Sequence, residues 1–202
     1  MDKSELSGCI AFLQEAERLK NVLRTAHTSE GRRESTAEHS WRLALFAMLL
    51  EDELPGLDFT RILKMCVIHD LGEAIHGDIP AIHQTPGMPD KAAREREDLQ
   101  TLAAPLPERL GAQLLSLWDE YDNAASPEAR IVKGLDKLET MIQHNQGLNP
   151  AGFDYAFNLG YGTQHTGWHP LLAELRGLVD DVTRERALGG LRSANPPYGA
   201  AE

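Results

Sequence analysis

Apolar residues recur at helical spacing along most of the chain. Between Ser4 and about Leu23, the residues Ile10, Leu13, Leu19 and Val22-Leu23 stand among charges, the pattern of an amphipathic helix. Polar residues and one glycine fill Thr25 to Thr36, which predicts a loop. Ser35 or Thr36 with Glu38 close behind suits a helix start, and the next helix runs from about Ala37 to Leu50. Its Trp41, Leu43 to Phe46 and Met48 to Leu50 are apolar on most sides, which places it deep in the core. Pro55-Gly56 marks a turn and Asp58 an N-cap for a third helix, about Phe59 to Gly72. A connector follows from Ile79-Pro80 through Pro86-Gly87 to Pro89. Asp90 caps a charged helix, about Lys91 to Ala104, whose Arg/Glu alternation reads as a solvated face. Pro107 opens a helix to about Tyr121, and Ser126-Pro127-Glu128 starts another that ends near Gln146. Gly147 to Gly167 is rich in Gly, Asn and aromatics, with one short helix at about Asp154 to Leu159. A last helix runs from about His169 to Ala187. No segment shows the period-two alternation of a strand. The pattern predicts one all-α domain over residues 1–202, with a core at about 10–187 and a flexible tail at 188–202.

Composition narrows the class. Hydrophobic residues at 42% and charged residues at 25% match a soluble globular chain, and no apolar run is long enough to span a bilayer. The charged start, Met-Asp-Lys-Ser-Glu, is unlike a secretory signal. Neither Cys9 nor Cys66 belongs to a C-x-x-C pair, so the expected setting is reduced and cytoplasmic. A net charge of -11 with no dense basic cluster argues against duplex nucleic acid as a partner. A small anion stays compatible, because a bound divalent cation inverts the local field.

Three words carry chemistry. His69-Asp70-Leu71-Gly72-Glu73 follows the apolar run Met65 to Ile68, and Asp78 comes shortly after. An ionised carboxylate at the end of a buried helix needs a cation, an arginine or a cap. Glu73 lies four residues after His69, on the same face if the helix persists. Glu38-His39 opens another buried helix. Asp136 flanks the inward stripe Ile131, Leu135, Leu138 and Ile142 of a third. Taken singly, each of these has an ordinary structural reading as a cap, a first-turn histidine or a boundary carboxylate.

Together, His39, His69-Asp70 and Asp136 resemble the H…HD…D pattern of the HD-domain phosphohydrolase superfamily. The words Ala-Glu-His-Ser-Trp, Ile-His-Asp-Leu-Gly-Glu and Gly-Leu-Asp-Lys-Leu-Glu look most like the branch of the bacterial 5'-deoxynucleotidases and the human HD-domain-containing protein 2. The resemblance covers roughly residues 10 to 145 and implies an HD-domain helical bundle. It implies one divalent metal ion (Mn, Co, Zn, Ni, Fe or Mg) held by His39, His69, Asp70 and Asp136, a donor set that suits a first-row ion. Such an ion supplies Lewis acidity toward water and phosphoryl oxygen. Glu73 and Asp78 are the catalytic candidates. Arg24 inherits a phosphate contact by position, and Thr25 replaces the tryptophan that follows that arginine in the resembled nucleotidases. Arg33, with Arg32 beside it, and His76 are further substrate-binding candidates. Lys133 and Lys137 read as solvent-facing, with the alternative that one of them screens the site, and His27, His83, His144, His165 and His169 as surface or loop residues. The implied activity is a 5'-nucleotidase acting on (deoxy)nucleoside 5'-monophosphates. The alternatives are a hydrolase of another phosphorylated substrate (a nucleoside triphosphate, a dinucleotide or a non-nucleotide phosphate) and a non-catalytic nucleotide-binding module. The resemblance also implies a homodimer, for which the aromatic segment Phe153 to Trp168 offers a contact surface.

Overall fold

A computed structural model describes residues 1–79 and 91–194, with side chains to 189. The helices among the described residues are α1 (Lys3–Ala16), α2 (Thr36–Leu49), α3 (Phe59–Ile68), α4 (Glu73–His76), α5 (Lys91–Ala103), α6 (Glu108–Asp122), α7 (Pro127–Gln146), α8 (Tyr155–Gly160), α9 (Thr163–Thr166) and α10 (Pro170–Ala194). The all-α expectation holds, with one small addition. The connector residues Pro80 to Pro89, His83 among them, the cap at Asp90 and the end of the tail lie outside the described residues.

Local chemistry sets the helix starts. Ser35 Oγ accepts from the Glu38 amide while the Glu38 carboxylate accepts from the Ser35 amide, a reciprocal capping box at the head of α2. Asp58 caps α3 through the Arg61 amide, and Ser126 with Pro127 starts α7. The centre of the bundle is α7. Its Ile131, Val132, Leu135, Leu138 and Met141 are buried and pack with Leu43 of α2, Ile62 and Met65 of α3 and Leu172 of α10. Gly134 permits the closest approach: a Cβ there meets the Leu172 side chain and the His165 carbonyl. A second cluster, Leu19, Ile68, Leu71, Leu99, Leu102 and Trp118, joins α3 and α5 beside it.

Two expectations are corrected. The predicted loop over Thr25 to Thr36 is a hairpin, β1 (Leu23–His27) paired antiparallel with β2 (Arg33–Ser35), with an irregularity between the pairs Leu23–Ser35 and His27–Arg33. Gly31, at φ 85°, makes its turn. The predicted helix from Phe59 to Gly72 stops at Ile68. The amides of Leu71 and Glu73 bond back to the carbonyls of Ile68 and Asp70, an i to i+3 turn that replaces the helical register. Gly72 lies against the Glu95 carbonyl of α5, where a Cβ does not fit. This break gives Asp70 and Glu73 directions that a continuous helix denies them. The last helix also runs past the expected Ala187, to Ala194.

Candidate metal centre and substrate cavity

Four side chains from two helices, α2 and α7, and the turn after α3 converge. His39 Nε2 lies 3.3 Å from His69 Nε2 and 3.1 Å from Asp136 Oδ1. Asp70 Oδ2 lies 3.1 Å from His69 Nε2 and 3.7 Å from His39 Nε2. Both imidazoles are fully buried. The sequence-predicted ligand set therefore meets at one point, although its members span residues 39 to 136.

The tautomers test whether a cation fits. His69 Nδ1 donates to the Cys66 carbonyl at 3.0 Å, and His39 Nδ1 is hydrogen-bonded to Glu139 Oε2. With the Nδ1 positions holding the protons, the two Nε2 lone pairs face each other 3.3 Å apart. Two facing lone pairs flanked by two carboxylates match the donor set of a divalent cation, and the bonds at Nδ1 are of the kind that orients imidazole ligands. Burial and Arg24 push the His39 imidazolium down, but Glu139 and Asp136 outweigh them and hold it up to about 10. Burial disfavours the charged Asp136 carboxylate, yet Lys137 and His39 hold it well below the usual carboxylate range. Tyr121 donates its hydroxyl to Asp136 Oδ2 at 2.9 Å and Lys137 Nζ sits 2.8 Å from the same oxygen, so Oδ1 is the atom left for the cation.

The supports around this cluster were not legible as functional in the sequence. Glu139 is 1% exposed and takes both His39 and the Arg42 guanidinium, whose Nε is 2.5 Å from Oε1. Its signal was a carboxylate inside an apolar stripe, which demands a partner. Trp118 Nε1 donates to the His69 carbonyl at 2.9 Å and fixes the turn.

A cavity of about 950 Å³ opens on the cluster and is lined by His69, Asp70 and Asp136, with Glu73, Asp78 and Arg24. The size suits a small-molecule ligand. Arg24 Nη1 lies 3.5 Å from Asp70 Oδ2 and its Nη2 donates to Thr140 Oγ1 at 2.9 Å. Glu73 is 2% exposed. Its Oε2 accepts from Thr36 Oγ1 at 3.3 Å, and its Oε1 lies 3.3 Å from Lys91 Nζ. The same ammonium stands 3.5 Å from Asp78 and 3.2 Å from Glu95. Burial, then repulsion from Asp70 and Asp78, outweighs Lys91 and pushes the Glu73 carboxyl up to about 9. Burial likewise raises Glu95 to about 7.

The helix read as a solvated charged face thus turns Lys91 and Glu95 inward, because the i, i+4 spacing puts both on one side. Lys133 and Lys137, read as solvent-facing, line the cavity, as do His27 and His144, read as surface residues. Arg33 reaches the cavity rim but spends its guanidinium on the carbonyls of Arg24 and Leu23, at 2.8 and 2.6 Å. Arg32 forks onto Glu38. His76 is not brought to the cavity: its Nδ1 lies 2.7 Å from Asp98 and its side chain is 60% exposed. The aromatic segment folds back on its own bundle, where Phe153, Phe157 and Tyr161 line the cavity.

This combination of helical bundle and H…HD…D centre is that of an HD-domain protein, and sequence and structure comparisons agree. The chain matches the HD domain over residues 16–176. It is 34% identical to the human "5'-deoxynucleotidase HDDC2" over 195 residues, covering 94% of this chain and 91% of that one. It is 31% identical to the "5'-deoxynucleotidase hdd1" of Schizosaccharomyces pombe over 198 residues, 92% and 94% of the two chains. The crystal structure of a "Predicted metal-dependent phosphohydrolase" from Magnetospirillum magnetotacticum superimposes with a TM-score of 0.76 at 30% identity, covering 92% of this chain and 98% of that one. The chain belongs to the HD domain family.

Proposed function

We propose that this chain is a divalent-metal-dependent 5'-nucleotidase that hydrolyses (deoxy)nucleoside 5'-monophosphates to nucleoside and phosphate. The observation that carries the reading is the pair of facing imidazole nitrogens, His39 Nε2 and His69 Nε2, beside a cavity lined by His69, Asp70 and Asp136 that also holds an arginine and two further carboxylates. The names of the relatives at 34% and 31% identity support the substrate class. The whole chain is read as one HD domain, in a cytoplasmic setting and as a homodimer.

His39, His69, Asp70 and Asp136 are the residues to hold the ion, which supplies Lewis acidity when bound. Arg24 is placed to orient the phosphate, since Thr140 and Asp70 fix its fork at the cavity wall. Arg33 acts through the β1 carbonyls it holds, which position Arg24. Glu73 carries a proton at neutral pH, because burial and its acidic neighbours outweigh Lys91, and is the group to protonate the leaving 5' oxygen. Asp78, a second of the three carboxylates on Lys91, accepts the proton of the attacking water as the water oxygen bonds to phosphorus and the phosphorus–O5' bond breaks. His76 has only an indirect part, through Asp98 on α5.

Thr25 lines the cavity where the resembled nucleotidases carry tryptophan. The smaller side chain favours a second reading of the sugar site, in which ribose is accepted beside deoxyribose. Phosphate release from paired ribo- and deoxyribonucleoside 5'-monophosphates, with several metals added, tests both readings. Turnover that needs a divalent metal and disappears in the His69→Ala/Asp70→Ala variant supports the assignment. Equal rates from wild type and variant exclude it.

A further inference from the structure

The cavity extends well beyond the metal centre, and its two ends differ in chemistry. Asp136, Thr140 and His144 follow one another at four-residue intervals on α7, and all three line the cavity. They form a stripe about 12 Å long at the rise of an α-helix. Asp136 marks the metal end. Thr140 accepts from Arg24 Nη2 at 2.9 Å, which puts the phosphate-orienting guanidinium at the middle of the stripe. His144 therefore lies one turn beyond the arginine, where a 5'-phosphate seated on Arg24 places the rest of its nucleoside.

What lies around His144 is largely planar and aromatic, and the charge that α8 brings to the lining is the carboxylate of its N-cap, Asp154, which repels a second phosphate. The Phe153 ring meets the His144 ring edge-on, with centroids 4.9 Å apart. Phe157 and Tyr161 stack at 5.9 Å and 29°, and Phe157 remains 39% exposed with its side chain on the cavity wall. Tyr161 reaches back toward the metal end, 5.4 Å from the Lys137 ammonium that also holds Asp136. Of the side-chain cations lining the cavity, Arg24, Lys91, Lys133 and Lys137 each pair with a carboxylate and Arg33 with the carbonyls of Arg24 and Leu23, and none of these groups belongs to α8. Polar capacity is nevertheless present. Asn158, 1% exposed, meets His144 Nδ1 with its amide, at 3.2 Å from Oδ1 and 3.1 Å from Nδ2. The amide and the imidazole together present an uncharged polar edge on the cavity lining. His27 Nδ1 is buried with no hydrogen-bond partner among the described residues. Burial pushes the His144 imidazolium down to about 4, against the Asn158 bond, so the ring is neutral at ordinary pH.

We propose that this aromatic end, Phe153, Phe157 and Tyr161 with the polar edge of His144, Asn158 and His27, is a nucleobase subsite. It sandwiches the substrate's base on its rings and reads its hydrogen-bonding edge. The inference rests on the 5'-nucleotidase reading and adds to it a dependence on the base itself. Aromatic faces bind any base, while a neutral imidazole and an amide suit an uncharged heterocycle better than a second phosphate.

The test separates the base from the sugar phosphate. Initial rates are compared for deoxyadenosine 5'-monophosphate and 2-deoxyribose 5-phosphate on the metal-loaded full chain, wild type and Phe157→Ala. Phe157 is half-exposed, so its truncation leaves the fold in place; Phe153→Leu serves as a second variant. The subsite predicts a kcat/KM at least about tenfold higher for the nucleotide in wild type, and a ratio that falls about tenfold in Phe157→Ala, the size of a lost base–ring contact. Equal kcat/KM for the two compounds in wild type, or an unchanged ratio in both variants, overturns it. Should neither compound be hydrolysed, the nucleotidase reading fails, and calorimetric binding still decides the subsite. Tighter binding of the nucleotide than of the sugar phosphate supports it, and equal binding overturns it.

Discussion

The metal end and the aromatic end of the cavity lie on the same helix, α7, yet they are built differently. At the metal end the ligands are held at two points. His39 is tied through Nδ1 to Glu139, His69 to the Cys66 carbonyl, and Asp136 to Tyr121 and Lys137. Both histidines are buried, and the apolar side chains of α2, α3 and α7 pack around them. At the aromatic end the wall comes from short elements, α8 and the β1 strand, with Phe157 partly exposed and His27 Nδ1 left without a partner. A saturated network locks geometry, as a reaction centre requires. An unsaturated one keeps polar capacity for a ligand. The difference separates where bonds are broken from where substrates are told apart.

That contrast can be broken at several points. The largest effect is expected from His39→Ala, which removes a ligand and leaves Glu139 with Arg42 alone. Bound metal, read by elemental analysis, should be lost and phosphate release should fall to background. Glu73→Gln should keep the metal but lower kcat by about 10²–10⁴-fold, the range for a lost acid–base group. A metal content that falls with the rate would instead place Glu73 among the ligands. Glu139→Gln should weaken metal affinity by about 10–100-fold, as the loss of a ligand-orienting partner does, with activity restored by excess metal. An unchanged metal titration would deny Glu139 that role.

The smallest effect lies at the other end and is read in stability. His144 has an ordinary value of 6.5 and is pushed down to about 4 in the fold, chiefly by burial. The native state therefore binds fewer protons than the unfolded chain between those values. Its contribution to stability is present above pH 6.5 and is lost as the pH falls toward 4. Thermal melts at pH 7 and pH 5 should show a loss larger in wild type than in His144→Gln, by roughly 1–2 kcal/mol. Equal losses would mean that His144 does not sit neutral and enclosed.

The metal end was also the more legible in the sequence. His39, His69, Asp70 and Asp136 stand in distinctive local words, and helix starts such as Ser35 with Glu38 are written in adjacent residues. What escaped depends on partners distant in the chain. Glu139 meets His39 across 100 residues, and Lys91 meets Glu73 across 18. A pattern of charges on α5 cannot reveal that Lys91 and Glu95 face a cavity formed by other helices. The hairpin was missed because its strands, of five and three residues, are too short to show alternation. The end of α3 at Ile68 was missed because apolar spacing continues through Leu71, while the close approach of Gly72 to α5 decides the turn.

The central claim, that a divalent cation at His39, His69, Asp70 and Asp136 enables phosphate release, is tested most directly by removing and restoring the ion. Purified protein is stripped with a chelator, assayed for phosphate release from deoxynucleoside 5'-monophosphates, and reloaded with single metals while bound metal is measured. The account predicts no turnover after stripping, recovery in step with uptake of one ion per chain, and neither uptake nor recovery in Asp136→Ala. Turnover by the stripped protein at the untreated rate, or recovery in Asp136→Ala equal to that of wild type, would contradict it.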